Sequence, residues 1–100
     1  MKKQQYFTVT GLNHRYGTDF LKKGDEVHLV KEPENEYDSE AICVELEGLG
    51  RIGYVANSVN TRIGESMSAG RLYDRIGDEA DGTVLHVMAN GVVCRLTEKE

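Results

Sequence analysis

The chain has 100 residues, of which 39% are hydrophobic and 29% charged, and a net charge of −5. That length predicts a single domain over residues 1–100, and the composition excludes disorder over most of it. No apolar run approaches the roughly 20 residues that span a bilayer, so no membrane partner is expected.

The opening MKKQQYF has two lysines but no apolar h-region, so no cleaved secretory signal is expected and the expected compartment is cytoplasmic. Cys43 and Cys94 suit that compartment as reduced thiols. Residues 1–4 and 97–100 are short polar ends expected to fray.

Gln5 to Leu12 reads as a strand, since Tyr6, Phe7, Thr8, Val9 and Thr10 are β-formers. His14 to Gly24 reads as a loop anchored by Phe20 and Leu21. Glu26 to Lys31 alternates, with Val27 and Leu29 on one face and His28 and Val30 on the other, as a strand does. Pro33 ends ladder pairing, and a Glu-Asn-Glu-Tyr-Asp turn follows. Glu40 to Glu47 is a second alternating strand, with Ile42, Val44 and Leu46 on one face. Gly48-Leu49-Gly50 connects it tightly to a strand over 51–55.

Asn57 and Ser58 are N-cap residues, and Val59, Ile63 and Met67 recur at helical spacing, which predicts a short helix over about 58–67. Arg71 to Ile76 reads as a strand, and Gly77 to Gly82 as a polar loop. Asn90-Gly91 between two β-rich runs, 83–88 and 92–96, predicts a hairpin. Six or seven short strands with frequent glycines and one short helix make an all-β chain. A small closed or partly open barrel accounts for it, because closure removes sheet edges.

Charge is unevenly spread. Residues 25–47 hold nine acidic side chains against Lys31 alone, and so carry −8 while the remainder carries +3. An acidic region and a mildly basic remainder make the field polar. The acidic residues either serve solubility alone or form a binding face.

The chemistry of catalysis is thin. His14, His28 and His86 are far apart, and the cysteines lack Cys-x-x-Cys spacing, so no metal or other cofactor is expected. There is no phosphate-cradling glycine loop, His-Glu-x-x-His or nucleophile elbow, and no enzyme is expected. A metal-dependent nuclease would need Asp25, Glu26 and Glu32 to converge. Two tyrosines fall outside every apolar alternation, Tyr16 in Asn-His-Arg-Tyr-Gly and Tyr37 in the acidic turn. A loop tyrosine either lids the core edge or offers a face on which a base stacks. Arg15 sets a fixed positive charge beside Tyr16, and Asp38 sets an acceptor beside Tyr37.

Gly-Leu-Asn-His-Arg-Tyr-Gly at 11–17, Gly-Asp-Glu-Val-His-Leu-Val-Lys-Glu-Pro at 24–33, Asn-Glu-Tyr-Asp-Ser-Glu-Ala-Ile-Cys-Val at 35–44 and Arg-Ile-Gly-Tyr-Val-Ala at 51–56 together resemble the HIRAN domain, over about residues 8–56. The resemblance implies an OB-like barrel that captures 3′-hydroxyl ends of single-stranded DNA, in DNA repair or replication, alone or beside a helicase or nuclease; a monomer is expected. It implies that Tyr16 and Tyr37 stack on terminal bases. Asp38 would accept from the 3′-hydroxyl, Asn35 bond the terminal nucleotide and Arg15 approach the backbone. Tyr54 stands where some relatives have histidine, and either stacks or packs. Gly17 replaces an aromatic of better-known relatives, and lysines near Ala56 and Asn57 are missing. Arg51, Arg62, Arg71 and Arg75 are the remaining candidates for a basic rim. The alternative is a protein-interaction barrel using its acidic face without DNA.

Overall fold

A computed structural model describes residues 5–11, 21–57, 63, 66–88 and 91–97. Six strands, β1 (Tyr6–Thr10), β2 (Glu26–Glu32), β3 (Ala41–Leu46), β4 (Gly50–Val55), β5 (Glu79–Met88) and β6 (Gly91–Thr97), and one helix, α1 (Ala69–Tyr73), make up its elements. The strands close into a barrel in the order β1-β4-β3-β2-β5-β6, with every neighbour antiparallel. Alternation points one side chain in two inward. Phe7, Val9, Val27, Leu29, Ile42, Val44, Ile52, Val84, Val92 and Leu96 fill the interior, joined by Leu21, Ala69 and Leu72. Among the described residues no helix is long and apolar enough to cross a membrane.

The predicted strands near 5–12, 26–31, 40–47, 51–55, 83–88 and 92–96 are all present. The two halves of the last hairpin pair from Met88–Gly91 to Asp81–Thr97. Three expectations need correction. The helix over 58–67 falls largely outside the described residues, but Ser66 is not helical and Met67 bridges Phe7 in parallel. Among its described residues, Ser66 shares a 2.7 Å hydrogen bond with buried Thr8 of β1, which also accepts from the Ile63 N–H.

The second correction is at 71–76, where a strand was expected: residues 71–73 belong to α1 and 74–76 form the turn that follows it. Ser68 is the N-cap: its carbonyl accepts from Leu72 N–H at 2.9 Å, and its hydroxyl from Arg71 N–H. Ala69, Leu72, Tyr73 and Ile76 all pack on the core, one face of a helical turn and its extension. Lys31 clasps this unit, donating to the Ile76 carbonyl at 2.9 Å with its ammonium 4.1 Å from the Tyr73 ring centre. Third, β5 begins at Glu79, inside the expected loop, because Val30–Glu79, Leu29–Ala80, His28–Asp81 and Val27–Gly82 continue its pairing with β2. Gly82 is buried there, since a Cβ would lie 2.7 Å from the Phe7 ring.

Cys43 and Cys94 are both free and buried. Burial pushes the Cys94 thiol up to about 12 and raises Cys43 as well, so both are neutral packing groups.

The seam between β1 and β4 pairs Val9 with Val55 and Thr10 with Tyr54. A Cβ at Gly53 would fall on the Thr10 carbonyl oxygen and within 3.1 Å of Val9. Gly53→Ala therefore forces the strands apart and should cost about 1–3 kcal/mol in urea unfolding. Gly77→Ala, where an added Cβ meets nothing within 4 Å, should stay within about 0.5 kcal/mol.

A second prediction concerns pH. His28 donates from Nδ1 to Asp81 at 2.8 Å and from Nε2 to Glu79 at 2.6 Å when its ring is charged, tying β2 to β5. The hydrogen bond to Asp81, then that to Glu79, raises its pKa above the ordinary 6.5. The linked stability is fully present below that ordinary value and lost as pH rises through the raised one. The thermal midpoint should therefore fall as pH rises from below 6.5 through the raised value, and His28→Gln should flatten that fall.

Candidate functional site

Where β2 ends, Glu32 pairs with Ala41 at the start of β3, and the next strand carries Tyr54 opposite Cys43. Pro33 supplies no N–H for the ladder, so the chain leaves the sheet here and returns through residues 33–40. One side chain holds that return. The Asn35 amide oxygen accepts from Tyr37 N–H at 2.9 Å and Asp38 N–H at 3.1 Å, and its Nδ2 donates to Glu32 Oε1 at 3.1 Å. This is an Asx-type turn, in which a side chain replaces a backbone acceptor. Asp38 repeats the device, with Oδ1 accepting from Glu40 N–H at 2.9 Å and its carbonyl from Ala41 N–H at 3.1 Å.

With backbone groups on both sides of it pinned, Tyr37 points away from the protein and is 93% exposed. It does not lid the core. Tyr54 is the opposite case. Its hydroxyl donates to Glu32 Oε1 at 2.9 Å, and the Arg51 guanidinium lies 5.7 Å from its ring centre. Burial and then the bond to Glu32 push its phenol above the ordinary value, so it remains a neutral donor. Arg51 also faces Glu32 Oε2 at 3.5 Å. Glu32 thus joins the turn, β2 and β4 through one carboxylate.

These groups surround a cavity of about 650 Å³ lined by Glu32, Glu34, Asn35, Glu36, Tyr37, Asp38, Ala41, Arg51, Tyr54 and Val55. Asn35, Tyr37, Asp38 and Tyr54 are therefore brought together. Arg15 and Tyr16 lie outside the described residues. β1 ends at this rim, where Thr10 pairs with Tyr54. Of the candidate rim arginines, Arg51 lines the cavity, Arg71 and Arg75 do not, and Arg62 is outside the described residues. A second depression of about 600 Å³ includes Arg75, His28, Glu79 and Asp81. It offers no exposed aromatic ring, and both nitrogens of its histidine are taken up by carboxylates.

Two residues of the candidate site were not assigned to it from sequence. Glu32 was weighed only as a metal ligand, yet its carboxylate is the junction just described. Asn57 was taken for the cap of a helix beginning at 58. Its Oδ1 instead accepts from Gly70 N–H of α1 at 3.0 Å, and its Nδ2 donates to Asp38 Oδ2 at 3.3 Å. Its bonded residues stand 13 and 19 positions away, so no local signal reveals them.

The structure is a closed OB-like barrel with a largely apolar core and a polar cavity at one rim. The family is fixed by comparison: the family model for the HIRAN domain matches residues 2–87, and the chain belongs to that family. It is thereby a nucleic-acid-binding module. The fold is shared with the crystal structure of the HIRAN domain of human HLTF, at 20% identity and a TM-score of 0.66, over 93% of this chain and 72% of that one. It is shared too with a protein from Lactobacillus plantarum, at 22% identity and a TM-score of 0.59, over 94% and 93% of the two chains. No curated protein sequence matches the chain.

Asn35→Ala removes the acceptor of two backbone N–H groups and a donor to Glu32. It should lower stability by about 1–2 kcal/mol, as loss of a cap does, and speed limited proteolysis within residues 33–40. Unchanged cleavage kinetics would show that the turn does not depend on this amide.

Proposed function

We propose that the chain captures the 3′-hydroxyl end of single-stranded DNA at the β2–β3 rim and positions another protein's activity there, in DNA repair or replication. The reading rests on Tyr37. An aromatic ring 93% exposed beside a cavity of nucleotide dimensions is a stacking platform without a core role, and stacking contributes about 1–3 kcal/mol per base. Asp38 stands next to it. Each of its oxygens already accepts one hydrogen bond, and a carboxylate has roughly four acceptor positions, so capacity remains for a hydroxyl. A terminal hydroxyl donates to this group, whereas a phosphate is repelled by it. In this reading Asn35 bonds the terminal nucleotide, Tyr54 forms the floor with its hydroxyl on Glu32, and the family resemblance assigns Arg15 to the backbone and Tyr16 to a terminal base. HIRAN domains bind single-stranded DNA, and the net charge of −5 makes binding weak and only modestly salt-dependent.

The exposed Glu34 and Glu36 at the same rim favour a second reading, a protein-interaction barrel whose acidic face takes a basic segment. A fluorescence-anisotropy titration at low salt separates the two. For the first reading, a 3′-hydroxyl oligonucleotide binds and a 3′-phosphate one binds more weakly. Tyr37→Ala should weaken binding on the order of tenfold. Asp38→Ala should cost more on the hydroxyl end than on the phosphate end. Equal losses on both ends defeat the assignment of Asp38, and no binding of either end leaves the protein-interaction reading.

A further inference from the structure

Resting on the 3′-end reading above, we propose that the rim prefers a terminal ribose, with its vicinal 2′- and 3′-hydroxyls, over a terminal deoxyribose, and so takes RNA-terminated strands in preference to purely DNA ones. The inference comes from how the Asp38 carboxylate is held. Its two oxygens are secured separately: Oδ1 by the Glu40 N–H at 2.9 Å and Oδ2 by the Asn57 amide at 3.3 Å. The Asn57 amide is itself oriented, because its oxygen accepts from Gly70 N–H at 3.0 Å and this turns Nδ2 toward Asp38. The carboxylate therefore cannot rotate without breaking a bond at each oxygen. Each oxygen keeps one unused acceptor direction, on a half-exposed group that lines the cavity.

Two fixed acceptors side by side on one carboxylate match two donors side by side on one sugar. Bidentate acceptance from a vicinal diol is how a single carboxylate recognises a ribose elsewhere, and the 2′-hydroxyl is what separates RNA from DNA at a given site. The surroundings reinforce the preference. Glu32, Glu34 and Glu36 add acceptors to the lining, and Arg51, the one cation lining it among the described residues, is already engaged by Glu32. A lining rich in acceptors gains from each additional hydroxyl donor on the ligand, and gains nothing from a phosphate.

The test uses the intact protein and one oligonucleotide sequence with five 3′ termini: ribose, 2′-deoxyribose, 2′-O-methylribose with a free 3′-hydroxyl, 2′,3′-dideoxyribose and 3′-phosphate. Affinities are read by competition anisotropy. Ribose should bind tighter than deoxyribose by roughly three- to tenfold, as one more hydrogen bond to an ionised, half-exposed acceptor provides. Deoxyribose should in turn exceed dideoxyribose. Asp38→Asn, which keeps an oxygen for the Glu40 N–H but loses one acceptor, should bring the ribose-to-deoxyribose ratio close to one. Equal affinity for ribose and deoxyribose, with both above dideoxyribose, overturns this inference and leaves 3′-hydroxyl capture standing. A 2′-O-methyl end as tight as ribose also overturns it, since sugar pucker and not the hydroxyl would then be read. Deoxyribose no tighter than dideoxyribose removes the 3′-hydroxyl reading, and this inference with it. The wild-type series decides the matter even where the variant fails to fold.

Discussion

Closure of the barrel is the constraint on which everything else in this molecule hangs. β1 must pair with β6 on one side and β4 on the other, and it does so with only five residues. A strand so short cannot close a sheet unless its neighbours approach without obstruction, which is why Gly53 of β4 faces the Thr10 carbonyl; Gly82 of β5 leaves room for the Phe7 ring in the interior. The Thr8 hydroxyl of β1 is then held by Ser66 and the Ile63 N–H. Closure removes the exposed edges that a small open sheet would present for association, and it also fixes which loops share a rim.

The candidate site is a product of that rim. The end of β2, the beginning of β3 and the end of β4 lie side by side, and β1 leaves the barrel next to Tyr54. Glu32, Asn35, Asp38 and Asn57 then form a chain of side-chain hydrogen bonds from β4 through the turn to α1. Polar groups that satisfy one another at a surface gain rigidity more than stability. The result is an acidic, pre-shaped cavity with one aromatic ring left outside. Its carboxylates disfavour a phosphate where its exposed ring offers a stacking face, and this pairing is what the proposed reading of strand ends rests on.

Much of the fold was legible in the residue pattern. Period-two alternation located the strands, since burial on one face leaves a direct trace in hydropathy. The helix was misplaced although its signal was present. Ser68 is followed by Ala69, Leu72, Tyr73 and Ile76, at i, i+3, i+4 and i+7, but the alternation of Leu72, Asp74 and Ile76 competes with it and reads as a strand. Packing decided the case: both Leu72 and Tyr73 meet the core, which adjacent residues of a strand on one sheet face do not. The start of β5 was missed for a related reason. Asp78, Glu79 and Asp81 look like loop residues, and it is the pairing of Glu79 to Gly82 with β2, joined by the His28 contacts to two of these carboxylates, that gives them a place in a ladder.

For the site, local chemistry sufficed for the turn and failed beyond it. Asn35, Tyr37 and Asp38 act within a few positions of one another, so the sequence by itself determined that a turn lies here and the family to which it belongs, while the structure decided that Asn35 closes it as an Asx-type turn and that Tyr37 is exposed and does not lid the core. The roles of Glu32 and Asn57 were decided only by the tertiary structure. Their hydrogen bonds reach to Tyr54, to Asp38 and to Gly70, and a directional bond between groups far apart in the chain exists only once closure has brought their strands and helix within a few ångströms.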